Sequence, residues 1–87
     1  MLTTHGACGR TWWQSGNRTS HCGGCHYTFA SLTLFDKHRR DGTCLHPLTL
    51  NDHGLPLATE TRGGGGPVWY SPGARAAVRD AYQEAAA

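Results

Sequence analysis

The chain has 87 residues and a net charge of +2, with 16% charged residues, 38% hydrophobic residues and 12 glycines. A chain this short buries only about 60% of its extended surface, which limits it to one small domain whose core needs a staple. No apolar run approaches the roughly 20 residues of a membrane span, and the charge lacks the strongly basic footprint of a dedicated nucleic-acid binder.

Residues 1–20 read as an N-terminal arm or hairpin. Trp12 and Trp13 are followed by Ser15-Gly16-Asn17, a turn signal. Neighbouring residues of a strand point to opposite faces, so one of the two tryptophans is expected to be exposed and to serve as an anchor for a partner. Met1 to Arg10 lacks a basic stretch followed by an apolar one, so no secretory signal is expected and a cytoplasmic setting is. In a reducing compartment, clustered cysteines are metal ligands or catalytic groups more often than disulfides. Asn17-Arg18-Thr19 is then a chance glycosylation sequon.

Residues 21–46 hold the dense core. Cys22, Cys25, His38 and Cys44 form C-x2-C-x12-H-x5-C. Gly23-Gly24 lets the chain fold back so that two sulfurs reach one ion, and zinc takes four such N/S donors in a tetrahedron. Phe29 and Phe35 complete C-x2-C-x3-F-x5-Φ-x2-H, the pattern of two-cysteine two-histidine fingers, with Cys44 in the place of the last histidine. Ser31 is a helix cap, and Leu32 to Arg40 read as a helix with Leu34, Phe35 and His38 on one stripe. Asp36 and Arg40 are spaced for an ion pair. Asp41-Gly42 reverses the chain toward Cys44. One structural Zn²⁺ on Cys22, Cys25, His38 and Cys44 is the expected site. Three thiolates and one ion bring the net charge to +1. His46, His21 and His26 stay open as alternative donors, and a disulfide framework is the competing reading of the cysteines. Cys8 reads best as a small buried hydrophobe; a free thiol or a weak second site with His5 and His21 are the alternatives.

Residues 47–70 contain scattered leucines without a period and read as irregular loop, with Gly63 to Gly66 as a flexible connector. In the segment 71–87, Ser71-Pro72 begins a separate helix to about Glu84, with Ala74, Val78, Ala81, Tyr82 and Ala85 on one side. The expected architecture is therefore a small zinc-stabilised α+β fold, a ββα finger-like core between an N-terminal arm and a C-terminal helix.

"FDKHR" (35–39), set between "HCGGCH" and "GTCLHP" and flanked by "CGRTW" (8–12) and "GPVW" (66–69), resembles the FDXHR family of zinc-binding proteins from phages of actinobacteria. The resemblance spans roughly residues 8–70; it implies zinc binding and a phage setting, and places Cys8 inside a matching motif.

Three functions follow as expectations. The first is a non-enzymatic adaptor for a protein partner, anchored by Trp12 or Trp13. The second is a weak nucleic-acid binder using Lys37, Arg39, Arg40 and Arg18 on backbone phosphates; one finger reads only about three base pairs. The third, least favoured, is a metal-dependent nuclease drawing on "LNDHG" (50–54), because four protein donors leave a zinc ion no open position.

Overall fold

The computed structural model describes residues 1–16 and 18–86, with side chains as far as Ala81. Asn17 of the expected turn and the side chains of Tyr82 and Ala85 lie outside that description. The chain is a small mixed α+β fold, with two helices and several small sheets among the described residues.

Strands β1 (Leu2–Thr4) and β2 (Thr11–Trp13) form an antiparallel hairpin in which Leu2 faces Trp13 and Thr4 faces Thr11. Its reversal is made by residues 5–10, closed by His5 N–H to the Arg10 carbonyl at 2.9 Å, and not by Ser15-Gly16. The segment after β2 is instead tied down by Gln14, whose amide donates to the Gly16 and Thr19 carbonyls at 2.6 and 2.7 Å.

The centre is a four-stranded sheet in the order β3 (Ser20–His21), β4 (Thr28–Phe29), β10 (Val68–Tyr70), β9 (Ala58–Glu60). β3 and β4 are antiparallel, as are β9 and β10, while β10 joins β4 in parallel through Trp69 and Phe29. Residues 21–46 therefore do not make a self-contained finger. Their two-residue strands are completed by strands from the segment expected to be loop.

Helix α1 (Leu32–His38) packs on this sheet. The Ser31 hydroxyl accepts the Leu34 N–H at 3.2 Å, the expected cap. Phe29, Leu34 and Leu57 form the apolar centre, with Tyr27, Phe35, Leu50 and Trp69 around it. The helix ends at His38, two residues earlier than expected. Arg39 and Arg40 become β5 and pair with β6 (Thr43–Cys44) across the left-handed pair Asp41 and Gly42, at φ 50° and 77°. Such a turn matches the twist of a tight hairpin, and it removes the helical spacing that an Asp36–Arg40 ion pair needs.

Beyond it, a 3-10 turn (Pro47–Thr49) leads into β7 (Asn51–Asp52) and β8 (Leu55–Pro56), joined through His53 and Gly54, both left-handed at φ 51° and 78°. Two-residue strands leave no alternation to read, which is why this segment looked irregular. The glycine run does not behave as an open connector either. A Cβ at Gly63 would lie 2.2 Å from the Trp13 ring, and one at Gly65 would lie 2.9 Å from the Trp12 backbone. The run passes flat against β2, and only glycine permits that approach.

Helix α2 (Pro72–Ala86) starts at Ser71, whose hydroxyl accepts the Ala74 N–H at 3.0 Å. Its first turn docks on the chain's own hairpin, with Gly73 against Asp52 and His53. Arg75 meets Glu60 through both guanidinium nitrogens at 2.9 and 3.1 Å and lies over the Tyr70 ring. Val78 and Ala81, on the expected apolar side, are exposed. No helix of the described residues is long and apolar enough to cross a membrane.

Candidate metal centre

Cys22 directly follows β3, and the chain doubles back at once: Cys22 N–H donates to the Tyr27 carbonyl at 2.9 Å, and His26 N–H to the Cys22 carbonyl at 2.8 Å. This knuckle carries Cys25 back beside Cys22. The last turn of α1 delivers His38, and the β5–β6 hairpin returns Cys44. One donor atom from each of Cys22, Cys25, His38 and Cys44 falls within 4.8 Å of all the others. The Cys22 and Cys44 sulfurs are 3.7 Å apart. A tetrahedron with Zn–S bonds of about 2.3 Å has S–S edges of about 3.8 Å, whereas a disulfide needs about 2.05 Å. All four cysteines are free thiols.

His38 is fully buried, and its hydrogen bonding decides which nitrogen is available. Nδ1–H donates to the Phe35 carbonyl, one turn earlier in α1. Nε2 is shut off from solvent and has no hydrogen-bond partner. A buried polar atom left unpaired costs about 1–3 kcal/mol, and a lone pair facing three sulfurs is satisfied by a metal ion. The Phe35 carbonyl fixes the tautomer, as second-sphere carbonyls do for ligating imidazoles. Phe29 packs on the same ring at 4.4 Å between centroids.

The thiols differ. Burial opposes ionisation of Cys22, but the backbone N–H groups of Cys25 and Gly24 outweigh it and bring the thiol down to about 6. Burial, and then the neighbouring Cys22 thiolate, push Cys25 up to about 11. Without a cation the pair therefore holds one thiolate readily and resists the second. Arg39 was a candidate for partner contact. It is exposed, with its Nη1–H donating to the Cys44 sulfur at 2.9 Å, and this contact raises its own affinity for the proton. Gly24 belongs to the same shell: a Cβ there would sit 3.3 Å from the Cys44 sulfur.

The alternative donors lie elsewhere. His46 is exposed, accepts the Leu48 N–H at 3.1 Å through Nδ1 and meets the Tyr27 hydroxyl at 3.1 Å through Nε2. His21 and His26 point away from the cysteines they flank and join His5 and Cys8 in a second group that can hold a metal ion, again with all donor atoms within 4.8 Å. Cys8 is only half-buried and so is not the small core residue expected. The legible signal was "HCGGCH" itself: residues flanking the knuckle cysteines emerge on the other side of the chain. His21 Nδ1 lies 2.8 Å from the Thr28 hydroxyl, and burial, then His5, His26 and Arg10, favour its neutral form. His26 holds a left-handed backbone, φ 63°, a conformation that costs about 1–3 kcal/mol and persists where its surroundings enforce it.

The remaining candidates for partner contact are redistributed. Trp12 is buried, its ring stacked on His21 at 4.4 Å with its N–H on Gln14. Trp13 is half-buried under Gly63. Neither is the exposed anchor that strand alternation implied, because the glycine run covers one face of β2 and His21 the other. Lys37 is exposed along its stem, but its ammonium is 2.6 Å from Asp52. Arg40 is exposed. The histidine of "LNDHG", His53, lies 3.0 Å from the same Asp52 carboxylate. That carboxylate is held well below the usual carboxylate range, first by Lys37, then by Ser71 and His53.

Comparison with curated proteins and with solved structures gives no match. The family model described as the phage FDXHR zinc binding domain matches residues 3–50, more than half of the 87. That span contains both Cys/His groups; "GPVW" lies outside it. The chain belongs to the phage FDXHR zinc-binding family.

Proposed function

We propose that this chain is a non-enzymatic zinc module acting as an adaptor for a protein partner. Cys22, Cys25, His38 and Cys44 would hold one ion in a closed, structural sphere. The observation that carries the metal assignment is the buried, unpartnered Nε2 of His38 facing three sulfurs. Four protein donors leave no position for a water or substrate, so the ion's chemistry here is to fix geometry. A cluster holding three thiolates and one divalent ion carries net negative charge, which Arg39 offsets through its bond to Cys44.

The adaptor surface is an open groove of about 550 Å³ between the β1–β2 hairpin and the central sheet, lined by Arg10, Tyr27, Thr59, Pro67 and Trp69 among others. Aromatic side chains with one arginine at the rim suit a docking segment of a protein. The groove takes over the role expected of Trp12 and Trp13. The nucleic-acid reading is weaker on this geometry, since two of its four cations already hold partners within the chain, Lys37 on Asp52 and Arg39 on the Cys44 sulfur.

The test is zinc stoichiometry together with capture of a partner from infected-host lysate by zinc-loaded chain. Thr59 is exposed at the groove and belongs to neither Cys/His group. Thr59→Arg is expected to abolish capture while leaving bound zinc unchanged. Capture that survives this substitution, or chain that holds no zinc, overturns the reading.

A further inference from the structure

The second Cys/His group goes beyond one structural ion. It lies on the opposite side of the same knuckle. Cys22 and Cys25 point inward toward Cys44, and the adjacent His21 and His26 point outward toward His5 and Cys8. The Cys8 sulfur is 3.1 Å from His5 Nδ1 and 3.6 Å from His21 Nε2. Bonds of about 2.0 Å to nitrogen and 2.3 Å to sulfur give N–S edges of about 3.5 Å in a tetrahedral zinc site. The three imidazoles crowd together, with centroids 4.7 Å (His5–His21), 5.3 Å (His5–His26) and 5.7 Å (His21–His26) apart.

The hydrogen bonds around the group leave lone pairs free where an ion would sit. The Thr28 hydroxyl occupies Nδ1 of His21 at 2.8 Å, which leaves Nε2 on the side of Cys8. His26 Nδ1 is shut off from solvent without a partner. The contacts of His5 Nδ1 and His21 Nε2 are both to the Cys8 sulfur, inside the group.

We infer that His5, Cys8, His21 and His26 form a second metal site, which takes a zinc-type divalent ion through three imidazoles and one thiolate. Mixed nitrogen and sulfur donors favour borderline ions of the zinc class over calcium or magnesium. The ion would tie the β1–β2 hairpin, through His5 and Cys8, to the knuckle, through His21 and His26. Because the four residues are only half-buried, it should be the first ion lost to a chelator.

The inference is independent of the adaptor reading and is tested on the full-length chain. Zinc alone is added to saturation, loosely held metal is removed by gel filtration, and zinc per chain is counted. Two ions per wild-type chain and one in the His5→Ala/Cys8→Ala double variant are expected. Should the variant not fold, the wild type still decides. Cys8 should be protected from iodoacetamide in zinc-saturated chain and become reactive before Cys22, Cys25 and Cys44 as chelator is added. One zinc per chain with Cys8 reactive throughout overturns the second site and leaves the first standing, as does a second zinc that leaves Cys8 reactive. No zinc at all overturns both.

Discussion

Residues 5–44 and residues 45–81 reach order by different means. In the first region the buried apolar side chains Trp12, Phe29 and Leu34 share the interior with buried donor side chains, Cys22 and His38. In the second region no such group exists among the described residues. Leu57 and Val68 supply apolar cover, and the rest is ion pairs, caps and glycines laid on a neighbouring strand. A core built around donors is stable only when they are satisfied, whereas a core built on close backbone contact depends on the absence of side chains. The two regions share a sheet, since β10 is hydrogen-bonded to β4, so the second inherits the condition of the first.

Removal of the metal should have the largest effect. Structural zinc contributes about 10–16 kcal/mol in small domains, far above the few kcal/mol a core of this size supplies. Excess chelator, or His38→Ala, should therefore unfold both regions together, even though neither Cys/His group draws a residue from 45–81. Near-ultraviolet dichroism of Trp12 and Trp69 and amide exchange in β9 and β10 would follow it. Survival of β9–β10 protection in metal-free chain would show two independent units.

A smaller effect is expected where the two regions touch through the glycines. Gly65→Ala places a methyl 2.9 Å from the Trp12 backbone, and overpacking of this kind costs about 1–3 kcal/mol. Gly64→Ala is the control for chain stiffness, because a Cβ there meets nothing within 4 Å, although its φ of 80° adds strain. If residues 63–66 were a free connector, Gly65→Ala would leave thermal stability unchanged.

Within the second region, Asp52→Asn tests the polar anchor of β7. The carboxylate is largely buried, while Lys37 is 42% exposed, so the loss should be nearer about 1–2 kcal/mol than the larger cost of breaking a fully buried pair. The sign with pH is fixed: a carboxyl held below its usual range stabilises the fold above that range, and the contribution fades only as pH falls through the depressed value. Arg75→Ala should cost less, about 1 kcal/mol or under, since its pair with Glu60 is exposed and the stacking on Tyr70 adds little.

How much of this was legible depends on whether a feature is written in spacing or in contact. Cys22, Cys25, His38 and Cys44 were readable because a knuckle and a helix fix their separations, and Phe29 and Phe35 supplied a check at core positions. Ser31 and Ser71 were readable as caps for the same local reason. The end of α1 was not: Arg39 and Arg40 have good helical propensity, and the Asp41-Gly42 turn together with the pull of Cys44 overrides it. The cover over Trp13 lies 50 residues away at Gly63, so no local pattern announces it. The His5–Cys8–His21–His26 group was half legible, since Cys8 with His5 and His21 was an open alternative; His26 joins only through a left-handed backbone that a histidine seldom adopts.

The finest distinction concerns protons. In metal-free chain the Cys22–Cys25 pair loses its protons in two separated steps, the first brought down to about 6 by the N–H groups of the knuckle and the second pushed up to about 11 by burial and the first thiolate. At pH 7.5 Cys22 is therefore already a thiolate, and Cys25 still carries its proton. Zinc entering the inner group must displace the Cys25 proton and displaces almost none from Cys22, so between about pH 7 and pH 10 this pair contributes close to one proton per zinc. Affinity should rise about tenfold per pH unit from that proton alone. Below pH 6 the Cys22 proton joins it and the dependence on pH steepens. Calorimetry of zinc binding in buffers of different ionisation enthalpy counts the protons directly, and Gly24→Pro, which deletes one of the N–H groups favouring the Cys22 thiolate, should raise the count at pH 7. An unchanged count would mean that the amides of the knuckle do not set the order in which its two sulfurs ionise.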